Sequence, residues 1–431
     1  MKESIILSVN AGSSSVKVSV YSVAELGKSP PIQIAEAQVS GLTAPPASLK
    51  YVRSSSEVII KDKAVDEKVS DQRSAFSLLL STLVEDNSLP QVKSKSDISI
   101  ICHRIVHGGD YSEPQLISAE TYHHLEALND LAPLHNANSL GIVQLCIEKL
   151  PEAKNVACFD SQFHSSIPEH IRTYPIDREI AKSNKLRKYG FHGISYSFIT
   201  QEVAKVLGKR VEETNLIALH LGSGASACAI KGGKSWDTSM GLTPLAGLPG
   251  ATRSGSVDPS LVFHYASDVG KLSPNSTKDL HISRAEEILN KESGWKSLTG
   301  TTDFGKIVSG AFGSDGNGGG GDEVMKLAFD LFVDRICGFI GTYYVSLRGQ
   351  VDALVFAGGI GEKSFELRKA VVEQVGCLGF EIDQEKNNQK VKEVVEDLSK
   401  DESSTKKKVF VCQTDEQFEM ARCCAENEEF W

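Results

Sequence analysis

Two stretches of this chain repeat one pattern, and that repetition limits its fold more than any other feature. Residues 5–9 are apolar, residues 10–15 ("NAGSSS") form a Gly/Ser turn, and residues 16–21 alternate again. Residues 216–221, 222–226 ("GSGAS") and 227–230 do the same. Each reads as strand, tight turn, strand. The two lie about 210 residues apart, which is the mark of a faint internal duplication and of two related α/β domains. The full length of 431 residues has room for two or three domains.

The remaining pattern fits that frame. Further strands are expected at 33–39, 98–101, 156–159 and 353–357, and helices at 74–84, 119–131, 139–150, 322–347 and 364–375. Residues 41–70 read as connections with an edge strand. Residues 313–321 ("GSDGNGGGG") read as a flexible loop, and the charge-rich 392–408 as a solvated helix and loop.

Composition narrows the function. The net charge is -10, which argues against a nucleic-acid or acidic-membrane binder, whose footprint is basic. A few arginines in a cleft could still hold a small anion. The nine cysteines include no C-x-x-C pair, so free thiols in a reducing compartment are expected rather than disulfides or zinc. The apolar run at 5–9 is too short for a signal peptide, and no run approaches a membrane span. A cytosolic protein is the expectation.

Apolar strands that end in glycine turns suggest nucleotide binding. The familiar fingerprints do not fit. Gly233-Lys234-Ser235 could end a P-loop, but Cys228 occupies the position of its first glycine. Residues 222–227 match G-x-G-x-x-A in letters, yet the segment from Cys228 to Gly233 is too short and glycine-rich for the required helix. A strand–turn–strand cradle is a different device, in which backbone N–H groups and hydroxyls point at an oxyanion. Taken singly, each turn reads as an ordinary hairpin; the two together with a third glycine turn at 358–361 ("GGIG"), which leads from a strand into a helix, favour a nucleoside triphosphate.

Several side chains stand out. Arg104 lies at a strand end beside Gly108 and Gly109, and Arg253 lies in the small-residue stretch "ATRSG". A guanidinium there is either a surface turn residue or is aimed at phosphate or carboxylate. His192 lies in "YGFHG", where glycines allow close approach of a ligand. Asp160 ends a strand, where a carboxylate either caps the next segment or, near phosphates, holds magnesium.

Taken together, "SVNAGSSSVKVSV", "HRIVHGG", "APLHN", "FDSQFH", "YGFHG", "ALHLGSGAS", "DTSMGLTPLAGL", "TRSGSVDP", "AGGIGE" and "TDE" resemble the acetokinase family, in its order and over nearly the whole chain. That family belongs to the acetate and sugar kinase/Hsc70/actin superfamily. The resemblance implies two ribonuclease-H-like α/β domains with an interdomain cleft, the first at 1–162 plus 418–431 and the second at 163–417. It implies reversible transfer of a phosphoryl group from ATP to acetate, giving acetyl phosphate and ADP, with Mg2+ and a homodimer joined through the second domain.

By the same resemblance Arg104 and Arg253 handle the carboxylate and the transferring phosphoryl group, and His192 contacts that group in the transition state. Asp160 and Glu416 position magnesium. Asn10, Ser13, Ser15 and Lys17 belong to the first phosphate turn, and His220, Gly222, Ser223 and Gly224 to the second. Gly359 and Ile360 match the adenosine pocket. Val106, Leu134, Phe191 and Pro244 match a pocket for the acetate methyl. The chain departs from the family pattern at Ser223 (usually Asn), Ile194 and Tyr196 (Thr and His), Lys363 (Asn) and Ala137 (Pro). The alternatives are a propionate or butyrate kinase, a pyrophosphate-type donor, and an actin- or Hsp70-like ATPase with no acceptor.

Overall fold

The computed structural model of the chain describes all residues except 1–2, 13, 26, 44, 54–56, 129–132, 266–271, 274–275, 277–281, 314–320 and 401–406; the side chains of 127, 133–138 and 265 are likewise outside the description. The chain divides into two compact units, Met1–Gln162 with Asp415–Trp431, and Phe163–Thr414.

The first unit is built on eight strands: β1 (Ser4–Ala11), β2 (Ser15–Val23), β3 (Ile32–Ser40), β4 (Ser48–Arg53), β5 (Glu57–Ala64), β6 (Ile98–Ile105), β7 (Gln115–Leu116) and β8 (Lys154–Phe159), in the order β5-β4-β3-β2-β1-β6-β8-β7. The second has six: β9 (Leu216–Leu221), β10 (Ala225–Lys231), β11 (Lys234–Thr238), β12 (Ala353–Ala357), β13 (Val395–Asp397) and β14 (Lys408–Cys412), in the order β11-β10-β9-β12-β14-β13. The suspected duplication is a topological one. In each sheet a three-stranded antiparallel meander (β1–β3, β9–β11) is continued by two strands parallel to its first (β6 and β8, β12 and β14). This is the mixed α/β arrangement of two acetate and sugar kinase/Hsc70/actin-type domains.

Period-two alternation explains why both faces of the first sheet are covered. Ile5, Leu7 and Val9 enter the core under the helices Gln72–Val84 and Pro133–Lys149. The intervening Ser8, with Ser19 and Tyr21 of β2, meets the helix Glu416–Glu426: Ser8 Oγ donates to the Gln417 carbonyl at 2.8 Å, and Tyr21 packs edge-on against Phe418. In the second unit Leu219, Leu221, Leu354 and Phe356 share a core with Phe332 and Ile336 of the long helix Glu323–Ser346.

Some sequence expectations are corrected here. The strand foreseen at 98–101 runs on to Ile105, because Cys102 is apolar enough to bury and His103 finds Asn155 Oδ1 at 2.9 Å. The polar stretch 41–70 holds two strands rather than one. Residues 358–361 are the start of a helix, Gly358–Lys363, not a turn before one. Part of 392–408 is strand β13, and residues 314–320 and 401–406 of the two expected loops lie outside the described residues.

Candidate active site

The residues singled out by sequence gather at the carboxyl ends of the parallel strands, in two groups. In the first unit these strands are β1, β6 and β8. Arg104 is paired in register with Cys158, and Asp160 lies two residues beyond Cys158, so both side chains fall on one face. Arg104 Nε and Nη2 donate to Asp160 Oδ1 and Oδ2 at 3.1 and 2.8 Å, a two-pronged pair with Asp160 almost wholly buried. Burial opposes the charge on Arg104, but Asp160 and then Glu416 overcome it and raise the guanidinium above its ordinary pKa. Glu416 opens the helix Glu416–Glu426, capped by Asp415, whose side chain accepts from Phe418 N at 2.9 Å. Gln417 ties this helix down by donating to the Lys17 carbonyl at 3.0 Å.

The turn read at 10–15 is tighter than its sequence suggested, since Asn10 and Ala11 belong to β1 and Ser15 to β2. Asn10 lies within β1, opposite Lys17 of β2, and the hairpin closes with Gly12 N donating to the Ser15 carbonyl at 2.9 Å. Ser13 lies outside the described residues. Lys17 is held by Glu36 at 2.9 Å. Val106 is half-buried one residue beyond β6, and Leu134 lies in the helix Pro133–Lys149 with its side chain outside the description.

Among the described residues no group of three or more His, Cys, Asp or Glu could hold a metal ion. Mg2+ in general keeps several waters and takes one or two carboxylates plus phosphate oxygens. Asp160 and Glu416 both lie close enough to Arg104 to raise its pKa, and their carboxylates are of the type such an ion takes.

In the second unit β9 and β10 close on residues 222–224, with Gly222 N donating to the Gly224 carbonyl at 3.1 Å. Residues 250–253 are stitched to this turn: Ala251 N donates to the Ser223 carbonyl at 2.8 Å, and a Cβ at Gly250 would lie 2.6 Å from that same oxygen, so only glycine fits. From the other side Ser293 N, Trp295 N and Lys296 N donate to the carbonyls of Thr252, Gly250 and Ala251. Arg253 is thus a fixed residue, not a loose surface turn. Burial lowers its pKa below the ordinary guanidinium value, and among the described residues no carboxylate offsets this.

His192 comes to the same place. It is left-handed, with φ 59°, and precedes the helix Gly193–Leu207. Its ring stacks on His220 at 4.2 Å between centroids, and its Nδ1 lies 2.8 Å from Ser226 Oγ. A Cβ placed on Gly224 would lie 3.2 Å from Arg253 Nη1 and 3.8 Å from His192 Nε2. An imidazole nitrogen and a guanidinium therefore converge on the bare Cα of the second turn. Phe191 and Pro244 are buried in this unit. Gly359 and Ile360 lie in the helix Gly358–Lys363, whose first residue has φ 74° and no room for a Cβ against Leu221.

Sequence reading assigned no role to His164 or Ser226. Burial lowers the pKa of His164 to about 4, so it is neutral. Its Nε2–H donates to the Phe191 carbonyl at 2.9 Å and its Nδ1 accepts from Ser235 Oγ at 2.7 Å, which fixes the backbone immediately before His192. The signal for His164 was its place in "FDSQFH"; nothing local marked it as a support for residue 192.

Comparison with known proteins bears on this arrangement. The model of the acetokinase family matches residues 5–422. A probable acetate kinase of Chaetomium globosum is 65% identical, over 100% of this chain and 99% of the other. Among solved structures, an acetate kinase of Porphyromonas gingivalis superposes with a TM-score of 0.78 at 32% identity, covering 97% of this chain and 98% of that one. A propionate kinase of Francisella tularensis gives 0.81 at 32% identity with the same coverage.

Proposed function

The chain belongs to the acetokinase family, and on that premise we propose that it is an acetate kinase, transferring the γ-phosphoryl group of ATP to acetate directly and in line, reversibly, to give acetyl phosphate and ADP. The observation that carries the mechanism is the convergence of Arg253 and His192 Nε2 on Gly224. Arg253 is half-buried, desolvation lowers its pKa, and among the described residues no carboxylate pairs with it, which supports reading it as a guanidinium that meets an anion.

The chemistry asks little more of the protein. Acetate is ionised at pH 7, since carboxylic acids have pKa values of about 4, so no general base is needed. What must be overcome is the approach of one anion to another and the charge that builds on the equatorial oxygens. In this reading Arg104, held in place by Asp160, binds the acetate carboxylate. Val106, Leu134, Phe191 and Pro244 bound its methyl group. Arg253 and the Nε2–H of His192 meet the phosphoryl oxygens, while Asn10, Ser13, Ser15, Lys17, His220 and the backbone of Gly222, Ser223 and Gly224 hold the phosphate chain. Gly359 and Ile360 lie against the adenosine. Asp160 and Glu416 would hold Mg2+, which when bound shares the negative charge of the phosphates.

The proposal extends to a homodimer formed through the second unit and to a cytosolic setting without nucleic-acid or membrane partners. Among the described residues no helix is long and apolar enough to cross a membrane. Propionate is the second reading, because the Francisella tularensis propionate kinase superposes as well as the acetate kinase does. One methylene is worth only about 1–3 kcal/mol in such a pocket. A coupled assay of ADP formation with acetate, propionate and butyrate as acceptors, and of acetyl phosphate formation with ATP, GTP and pyrophosphate as donors, tests both. Acetate with ATP is expected to give the highest kcat/KM; ATP turnover indifferent to any carboxylate would refute the proposal.

A further inference from the structure

We propose that Tyr196 and Ser226 are positioning residues that set the tautomer of His192, so that its Nε2 carries the proton and faces the second phosphate turn. The inference rests on the reading of His192 as a donor to the phosphoryl group. It starts from three side chains on two elements. His192 and Tyr196 sit one helical turn apart, and Tyr196 N donates to the His192 carbonyl at 3.0 Å. Ser226 lies on β10, opposite His220. Its Oγ is 2.8 Å from His192 Nδ1 and 2.6 Å from the Tyr196 hydroxyl. A ring of contacts therefore links the backbone of the helix start to the face of the sheet.

Proton counting decides the direction. Tyr196 is wholly buried, and a buried phenol must donate its one proton. Ser226 Oγ is the side-chain acceptor beside it. The backbone N–H of His220 approaches the phenolic oxygen and supports it as an acceptor in turn. Ser226 also has a single proton. Having accepted from Tyr196, it donates its own to His192 Nδ1. Nδ1 is then occupied as an acceptor, and the neutral imidazole carries its proton on Nε2. Nε2 is the nitrogen that lies near the bare Cα of Gly224, beside Arg253 Nη1. The relay Tyr196 → Ser226 → His192 thus aims a donor where phosphoryl oxygens are proposed to lie.

A phenol in this place is what the sequence departure at 196 supplies. Phenylalanine would fill the same space and remove only the donated proton. Ser226 would then be free to accept from Nδ1–H, and both tautomers of His192 would be populated.

The test uses the full chain labelled with 15N at its histidine rings, with the His192→Gln variant to assign the resonances. In the parent protein His192 is expected to show a protonated Nε2 and an unprotonated Nδ1. In Tyr196→Phe and Ser226→Ala the two nitrogens are expected to move towards the averaged shifts of a tautomer mixture. Ser226→Thr, which keeps the hydroxyl, is expected to restore the parent pattern. Loss of one neutral hydrogen bond is expected to lower kcat by about two- to tenfold with little change in acetate KM. A parent His192 protonated on Nδ1, or a Tyr196→Phe spectrum identical to the parent, overturns the relay. A tautomer that shifts while kcat stays constant upholds the relay and instead overturns the role proposed for His192.

Discussion

Arg104 and Arg253 occupy matching halves of a duplicated fold, yet their electrostatics are opposite. Arg104 is locked by both oxygens of Asp160 and has Glu416 near it, and its charge is reinforced. Arg253 is held by its backbone, through the bonds from Ser293, Trp295 and Lys296 and through the Ser223 contact, and burial weakens its charge. In the first unit position is secured by an ion pair, so Nε and one Nη2 bond of the guanidinium are already committed to Asp160. In the second unit position is secured by the main chain, and among the described residues no carboxylate compensates the charge. The difference teaches that the two arginines suit different partners. On the proposed function, Arg104 would meet the singly charged acetate carboxylate and Arg253 the group whose negative charge grows during the reaction.

Breaking the second half should have the largest effect. Arg253→Ala is expected to lower kcat by about 10³–10⁵-fold, the range for an arginine that meets a phosphoryl group in its transition state. Steady-state kinetics with a circular dichroism check of folding measures this, and a kcat within tenfold of the parent would remove Arg253 from the chemistry. His192→Ala should lower kcat by about 10²–10³-fold, as for one donor to developing charge. A large rise in acetate KM at constant kcat would make it a binding residue instead.

Breaking the first half should cost stability as well as activity. Asp160→Asn leaves Arg104 without its carboxylate, and removing one partner of a buried pair costs about 3–5 kcal/mol. Because Arg104 keeps some exposure, the low end is expected, read as a lower midpoint in urea unfolding. An unchanged midpoint would mean that the pair contributes no net stability.

A pH series sharpens the comparison through one histidine in each unit. Burial lowers His103 and His164 to about 4. Both are neutral in the folded state and titrate near 6.5 when unfolded. Between pH 4 and 6.5 the unfolded chain binds more protons, so stability falls as pH falls through that window. Each histidine accounts for about 3 kcal/mol by pH 4. His164→Gln should flatten the acid side of the profile for the second unit only, and equal acid sensitivity in that variant would contradict the assignment.

The smallest expected effect concerns chain length of the acceptor. Val106→Ala is expected to raise the propionate-to-acetate ratio of kcat/KM by no more than about 1–3 kcal/mol in free energy. An unchanged ratio in a folded variant would take Val106 out of the pocket.

Much of this was legible in the sequence, for a physical reason. Apolar strands that end in glycine turns leave a strong local signal, so β1, β2, β9, β10 and β12 stand out within a residue or two of their bounds. The misses occurred where long-range partners override local character. β6 continues through His103 because Asn155 satisfies it, and β5 is nearly all exposed, so it shows no alternation to read. The helix Gly193–Leu207 was not foreseen: it starts at a glycine, directly after His192, whose left-handed backbone has no signature in the sequence. Among the candidate residues, residue type and setting in the sequence singled out Arg104, Asp160, His192 and Arg253. Their pairing was not legible: that Arg104 has a carboxylate and Arg253, among the described residues, has none depends on strand register and on the loop at 250–253.

The most direct measurement is a side-by-side determination of kcat and acetate KM for Arg104→Ala and Arg253→Ala, both shown to be folded. If the two guanidiniums serve different partners, Arg104→Ala raises acetate KM by at least as large a factor as it lowers kcat, whereas Arg253→Ala lowers kcat by about 10³-fold or more with a far smaller change in KM. Equal profiles in the two variants, or a loss confined to KM in Arg253→Ala, would contradict the account.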